Sequence, residues 1–221
     1  MPEIEVEKST QQRLIEAAGE LFAEKGFKET TVRDISERAG ANVAAVNYHF
    51  GDKEKLYEEV VLYIINGVRE EFPVDMDIDK AASPQARLHT FVRNMLYRFI
   101  DPSRPAWRGI LFARERMNPR PAVLSIIQGD IMKALTLLSS IIYELLGPGA
   151  EPEEVGLCGT SIMGQIMFQA HIRSPNAPPL VRMGDITVEE IRRLVQHITD
   201  FSLAGIEDVR KTREESAGKE K

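Results

Sequence analysis

Residues 30–56 read TTVRDISERAGANVAAVNYHFGDKEKL, and three helix starts are written into them. Thr31 stands three residues ahead of Asp34, the spacing of a capping box, in which two side chains satisfy backbone amides that the first turn leaves unpaired. Val32, Ile35 and Ala39 then fall on one face. Gly40 interrupts, Asn42 opens a second helix with Val43, Val46 and Phe50 as its stripe, and a third begins near Asp52 and Lys53. That third helix runs on Leu56, Val60, Ile64 and Val68 until Pro73. Upstream, Ser9 and Gln12 make another capping box, and Leu14, Ile15, Ala18, Leu21 and Phe22 line one apolar face up to Gly26, where a left-handed helix end fits. Short helices this closely spaced, joined by a glycine-containing turn, describe a helix-turn-helix unit.

The chemistry of that unit lies on its last short helix. To enter a DNA major groove roughly 12 Å wide, the helix needs small or polar outward residues. Ala44, Ala45, Asn47 and Tyr48 fit, and the Asn47 amide suits adenine. Thr31, Tyr48, His49 and Lys53 are of phosphate-binding type, Thr31 and Lys53 standing at helix N-termini. Residues 9–55 carry seven basic and eight acidic side chains, so the ordered constellation, not bulk charge, carries the reading.

The same stretch resembles a known family. A-x-x-L-F-A-E-K-G-F at 18–27, T-T-V-R-D-I-S-E-R-A-G at 30–40 and V-N-Y-H-F-G-D-K-E-K-L at 46–56 are similar to the DNA-binding domain of TetR-family transcriptional regulators. The resemblance implies an N-terminal helix-turn-helix domain, a helical ligand-binding domain, a homodimer, and repression relieved by a small molecule. It also implies base-facing roles for Arg33, Val43, Ala44 and Asn47, and phosphate contacts for Thr31, Tyr48, His49 and Lys53. Many members carry bulkier or more polar residues where Ala44 and Ala45 stand.

The rest of the chain extends an all-α reading. Helices are expected at 84–100, 106–117, 121–146, 153–173 and 187–211, bounded by Pro102, Pro105, Pro119, Pro121, Gly147, Gly149, Pro175, Pro178 and Pro179. Residues 74–82 read as a polar hinge. The expected division is a DNA-binding domain at 1–55, a ligand-binding and dimerisation domain at 56–213, and a charged, fraying tail at 214–221. The 221-residue chain, 43% apolar, can bury a core without covalent staples, and its single cysteine, Cys158, excludes an internal disulfide. A net charge of −6 argues against indiscriminate nucleic-acid coating but leaves room for one local dock.

Between residues 87 and 133 the balance reverses, with nine basic side chains against Asp101, Glu115 and Asp130. Phe91, Met95, Phe99, Trp107, Phe112 and Met132 are interleaved there, and Met163, Met167 and His171 follow later. Together these nine residues are the candidate ligand set, and the arginine excess favours an anionic or aromatic effector. Taken singly, each aromatic or methionine reads as core and each arginine as solvated surface. G-I-L-F-A-R-E-R-M-N-P-R-P, at 109–121, is similar to the C-terminal domain of a TetR subgroup linked to antibiotic sensitivity and efflux, which implies a drug-like hydrophobic inducer. Gly156, Thr160 and Gly164 put small residues on one face, and Ile191, Leu194, Val195, Ile198 and Phe201 add an apolar stripe. In the family such a pair of last helices meets its symmetry mates, so these are the expected dimer elements and the operator is expected to be pseudo-palindromic.

Catalysis and membranes find little support. His49, His89, His171 and His197 lack metal-ligand spacing, no nucleophile elbow or phosphate loop occurs, and no cofactor is called for. Cys158 reads as an inert buried thiol. The uncharged run 155–172 is too polar for hydrocarbon and residues 1–12 hold no apolar leader, so the expectation is a cytoplasmic protein. The competing function is constitutive DNA binding with protein recruitment, which would require a filled core and no small-molecule coupling.

Overall fold

The computed structural model describes residues 8–117, 119–173, 177–184 and 186–219. Pro175, the first seven residues and the last two of the expected tail lie outside them. Among the described residues the fold is all-helical: α1 Thr10–Glu29, α2 Val32–Arg38, α3 Val43–Phe50, α4 Lys53–Glu71, α5 Pro84–Ile100, α6 Ala106–Met117, α7 Pro121–Leu146, α8 Pro152–Ile172 and α9 Val188–Lys219. The boundaries follow their caps. Ser9 accepts from the Gln12 amide and Gln12 returns the bond, Thr31 and Asp34 do the same, and Asn42 and Asp52 cap α3 and α4. Gly26, at φ 82°, breaks α1 so that its last residues form a separate turn.

α5 is the axis of the larger region, packing against α6, α7, α8 and α9. Leu88, Phe91, Val92, Met95, Leu96 and Phe99 are all buried to within 1% of complete. Each such side chain contributes about 1.5–3 kcal/mol of transfer free energy. The arginines of this region depart from the surface expectation: Arg98 is 2% exposed and Arg87 9%. They can be buried because carboxylates meet them, Asp130 for Arg98 and Glu144 for Arg87.

The segment read as a hinge is stitched down. Asn94, itself buried, donates its amide to the carbonyls of Val74 and Met76 at 3.2 and 2.8 Å, and Lys133 pairs with Asp75 at 2.9 Å. At the other end α9 continues eight residues beyond the expected limit of Lys211. Arg210 pairs with Glu207 and Glu214, and Arg213 reaches back to Glu154 and to the carbonyl of Leu146 at 2.6 Å. Those bonds hold the last turns on the body.

Candidate DNA interface and effector cleft

α2 and α3 meet at a tight turn. The Ala41 amide donates to the Ser36 carbonyl at 2.9 Å, and Gly40 takes φ +59°, a left-handed value that a side chain would strain. Ile35, Ala39, Val46 and Phe50 point inward and are buried. Helical geometry then puts Val43, Ala44, Asn47 and Tyr48 on the opposite face, at i, i+1, i+4 and i+5. All four are exposed, Tyr48 by 86%. An aromatic this exposed is free to make a contact outside its own subunit. His49 lies edge-on to Tyr48, with ring centroids 5.0 Å apart, and Arg33 is exposed on α2.

The acidic residues of this region lie mostly off that face. Glu20 and Glu24 are taken by Arg38, and Asp34 is held in its capping box, where bonds from Thr31 keep its carboxyl below the usual range. The Thr31 hydroxyl oxygen accepts from the Asp34 amide at 3.1 Å and keeps its own proton for another acceptor. Lys53, read from the sequence as a phosphate contact, also makes bonds within the subunit. It is half-buried, donates to the Phe27 and Thr30 carbonyls at 3.0 and 2.8 Å, and lies 4.3 Å from the Phe27 ring centre. Two of its three donors thus close the break after Gly26, and one is left.

The larger region grips the helix-turn-helix unit through α6. A Cβ on Gly19 of α1 would stand 2.3 Å from the Trp107 ring, so only glycine admits that indole. Arg114 donates to the carbonyls of Phe22 and Ala23, among those freed by the break in α1. The Tyr57 hydroxyl donates to buried Glu115, whose other oxygen accepts from the Arg120 amide at 3.1 Å. Burial pushes the Tyr57 hydroxyl up from its ordinary pKa, and its bond to Glu115 adds to the rise. Arg120 itself lies 3.5 Å over the Phe27 ring and forks onto Glu54 at 3.0 and 2.8 Å. Sequence reading missed this joint, whose partners lie 58 and 66 residues apart for Tyr57–Glu115 and Glu54–Arg120.

The nine candidate ligand residues divide. Phe91, Met95, Phe99 and Phe112 are core, with Phe99 and Phe112 centroids 5.0 Å apart. Trp107 is spent on α1, Met163 and Met167 are half-buried, and Met132 and His171 are on the surface. Of the nine, only Phe99 lines a cleft of about 360 Å³ at the α5–α6 elbow. That cleft is otherwise made by the end of α5, the loop 101–105, the start of α6, the end of α8, Val68 and Ile186. Four arginines border it, Arg98, Arg104, Arg108 and Arg173, none of which was in the candidate set. The basic excess and the loop's paired prolines were the signals available.

The expected dimer stripe is also partly used up. Ile191, Val195 and Ile198 are buried within the subunit because they face α5 and α8. What remains outward is Gly156, Leu157, Thr160, Gly164 and Phe168 on α8, with Phe201 on α9. Cys158 is half-buried in a groove between the two helices, its thiol pushed up chiefly by burial. No helix among the described residues is long and apolar enough to cross a membrane.

A capped helix-turn-helix presenting an exposed third helix, carried on a helical body with its own cleft, defines the class of helix-turn-helix transcriptional regulators. Residues 14–60 match the model for bacterial regulatory proteins of the tetR family, and residues 84–206, more than half of the chain, match the C-terminal domain of the HTH-type transcriptional dual regulator CecR. The chain belongs to the TetR family of DNA-binding transcriptional regulators, with a C-terminal domain of the CecR type. Among relatives, it is 28% identical over 165 residues to the dual regulator CecR of Shigella flexneri, covering 71% of this chain and 73% of that one. It is 34% identical over 80 residues to the repressor KstR2 of Mycolicibacterium smegmatis, but that match covers only 36% of this chain and 38% of the relative. The fold is shared with AibR, solved in complex with isovaleryl coenzyme A and operator DNA, at a TM-score of 0.65 and 15% identity over 87% of this chain and 97% of that one.

Proposed function

We propose that the protein is a homodimeric repressor that leaves a pseudo-palindromic operator when a small molecule binds. The carrying observation is the outer face of α3, where Val43, Ala44, Asn47 and Tyr48 are exposed together on a helix anchored by Val46 and Phe50. In this reading Arg33, Val43, Ala44 and Asn47 meet base edges. Thr31, Tyr48, His49 and the spare donor of Lys53 meet phosphates. Residues 1–55 form the DNA-binding part, 56–213 the effector and dimer part, and 214–221 its tail, with α4 shared across the first division. The protein acts by regulation rather than catalysis, in the cytoplasm with the DNA it binds.

The outward faces of α8 and α9 supply the dimer contact: Leu157 and Phe201 are each 64% exposed and Phe168 52%. For the effector, the elbow cleft is the better candidate than the wider set of nine residues, and the ligand-bound AibR supports a small molecule in general terms. The cleft's volume lies near the lower end of the range for small-molecule sites, about 300–1,000 Å³. Binding there would shift α6, and with it the grip on α1 and α4. A hundredfold loss of DNA affinity needs a ligand preference of about 2.7 kcal/mol between the two states. Selecting oligonucleotides from a random pool with the purified protein tests the DNA half of the reading. An inverted repeat with half-sites one turn or a multiple apart is expected, and a pool that never enriches would refute it.

A further inference from the structure

We infer that the cleft at the α5–α6 elbow is an anion site, which takes a small organic molecule bearing a carboxylate or phosphate held by Arg108 and Arg173. The inference rests on the effector reading of that cleft and narrows the chemical class of its ligand.

The charges around the cleft do not balance. Arg98 is met by Asp130 at 2.5 Å, and Arg104 by Glu71 at 2.5 Å and Asp101 at 3.2 Å. Arg108 and Arg173 make no such ion pair among the described residues; the Glu190 carboxylate acts on Arg173 from a distance but is itself held in the Thr187 cap. The Arg108 guanidinium donates to the Tyr63 hydroxyl at 2.6 Å and lies over the rings of Tyr63 and Trp107, at 4.8 and 5.6 Å. Among the described residues the Arg173 guanidinium donates only to Gln169, one turn back in α8, at 3.0 Å to the carbonyl and 2.9 Å to the side-chain oxygen. In both, Nε is buried with no acceptor among the described residues. Burial of a donor without an acceptor is costly, and an entering carboxylate or phosphate would supply one. Desolvation also holds the Arg173 guanidinium below its ordinary pKa, a penalty that an anion at this spot would offset.

Two further features suit the same occupant. α6 begins at Ala106 in the cleft wall, so the positive end of its dipole adds to the two guanidinium charges. Val68, Ile110, Ala170 and Ile186 offer an apolar wall to the rest of the molecule. An anion that takes Arg108 competes with the Tyr63 hydroxyl, one of the bonds between α6 and α4 beside Tyr57–Glu115, and α4 follows the recognition helix after two residues.

The test uses the full chain and octanoate and octyl phosphate as probes, with 1-octanol as the neutral counterpart at fixed ionic strength. Trp107 is the single tryptophan and its ring lies 5.6 Å from the Arg108 guanidinium, so its fluorescence senses an anion that takes Arg108, with calorimetry alongside. Both anions, or one of them, should bind at least tenfold more tightly than octanol. Whichever anion succeeds identifies the head group. Arg108→Gln and Arg173→Gln should each cost the anion about tenfold and leave octanol unchanged. Arg173→Lys should recover part of the loss, since it keeps the charge but not the fork. Because the Arg173 guanidinium bonds only Gln169 among the described residues, its variant decides the matter if Arg108→Gln fails to fold. Equal affinity for octanoate and octanol, no saturable anion binding, or wild-type affinity in a folded Arg173→Gln would overturn the inference. Anion binding that leaves operator affinity untouched would uphold the site and overturn the effector reading. Release of operator by octanol as readily as by octanoate would do the reverse.

Discussion

Gly109 sets the contact between α5 and α6 and offers a measurable consequence. An added Cβ there would stand 1.9 Å from the Phe99 carbonyl oxygen, which is backbone and cannot rotate away. Overpacking of this kind costs up to about 3 kcal/mol, while replacing a helical glycine by alanine returns roughly 1 kcal/mol. Gly109→Ala should therefore lose about 2 kcal/mol net. For a chain of this length that lowers Tm by roughly 4–8 °C. Gly67 of α4 is the matched control, helical and with nothing within 4 Å of its added Cβ. Gly67→Ala should gain about 0.5–1 kcal/mol and raise Tm by roughly 1–4 °C. Both are read from thermal melts at one protein concentration, since the Tm of a dimer, as proposed for this protein, depends on it. A Gly109→Ala protein melting at or above wild type would refute the packing argument, and with it the fixed floor of the cleft.

Three more outcomes follow from particular contacts. Lys53→Ala should lower Tm, because the Phe27 and Thr30 carbonyls lose their donor, and should weaken all DNA sequences alike with a salt slope shallower by no more than about 1; an unchanged melt would dispose of the capping role. Asp34, Glu154 and Glu190 are held below the ordinary carboxyl range, each with a capping-box backbone bond as the leading cause. A depressed folded pKa stabilises above the unfolded value, near 4, and the benefit is lost as pH falls through the folded one, so Tm should be flat near neutrality and drop below about pH 4; Asp34→Asn should soften that acid limb. Phe201→Glu should leave the melt of the isolated subunit intact but shift sedimentation from dimer to monomer, and an unchanged dimer would move the interface away from α9.

How much of this was legible in the sequence depends on how local the governing interaction is. Ser9, Thr31, Asn42 and Asp52 each bond an amide two or three residues away, so helix starts could be read directly from residue order. The outer face of α3 was equally plain, since Val46 and Phe50 fix which way the helix turns. Arg98 was not, because burial of a guanidinium depends on Asp130, 32 residues away, and on the Phe72 carbonyl, 26 away. The bonds of Lys53 to Phe27 and Thr30 were hidden for the same reason: they join residues 26 and 23 positions apart, beside the break at Gly26. The end of α9 was misjudged because its composition reads as a solvated tail, whereas Arg213 finds Glu154 and Leu146 only once the chain has folded back. The stripe on α9 shows a related limit. Periodicity identifies an apolar face but cannot say whether it meets its own subunit, as Ile191, Val195 and Ile198 do, or another.

The most direct measurement is a titration of DNA from around the protein's own coding gene at fixed salt with competitor, comparing wild type with the double variant Asn47→Ala/Tyr48→Ala. Both side chains are exposed, so the variant should melt as wild type does. The account predicts saturable binding by wild type, one dimer per site, and at least a tenfold loss in the variant at that site alone. Binding by wild type no tighter than to competitor, or equal affinity of the two proteins for the site, would contradict the reading of α3 as the recognition helix.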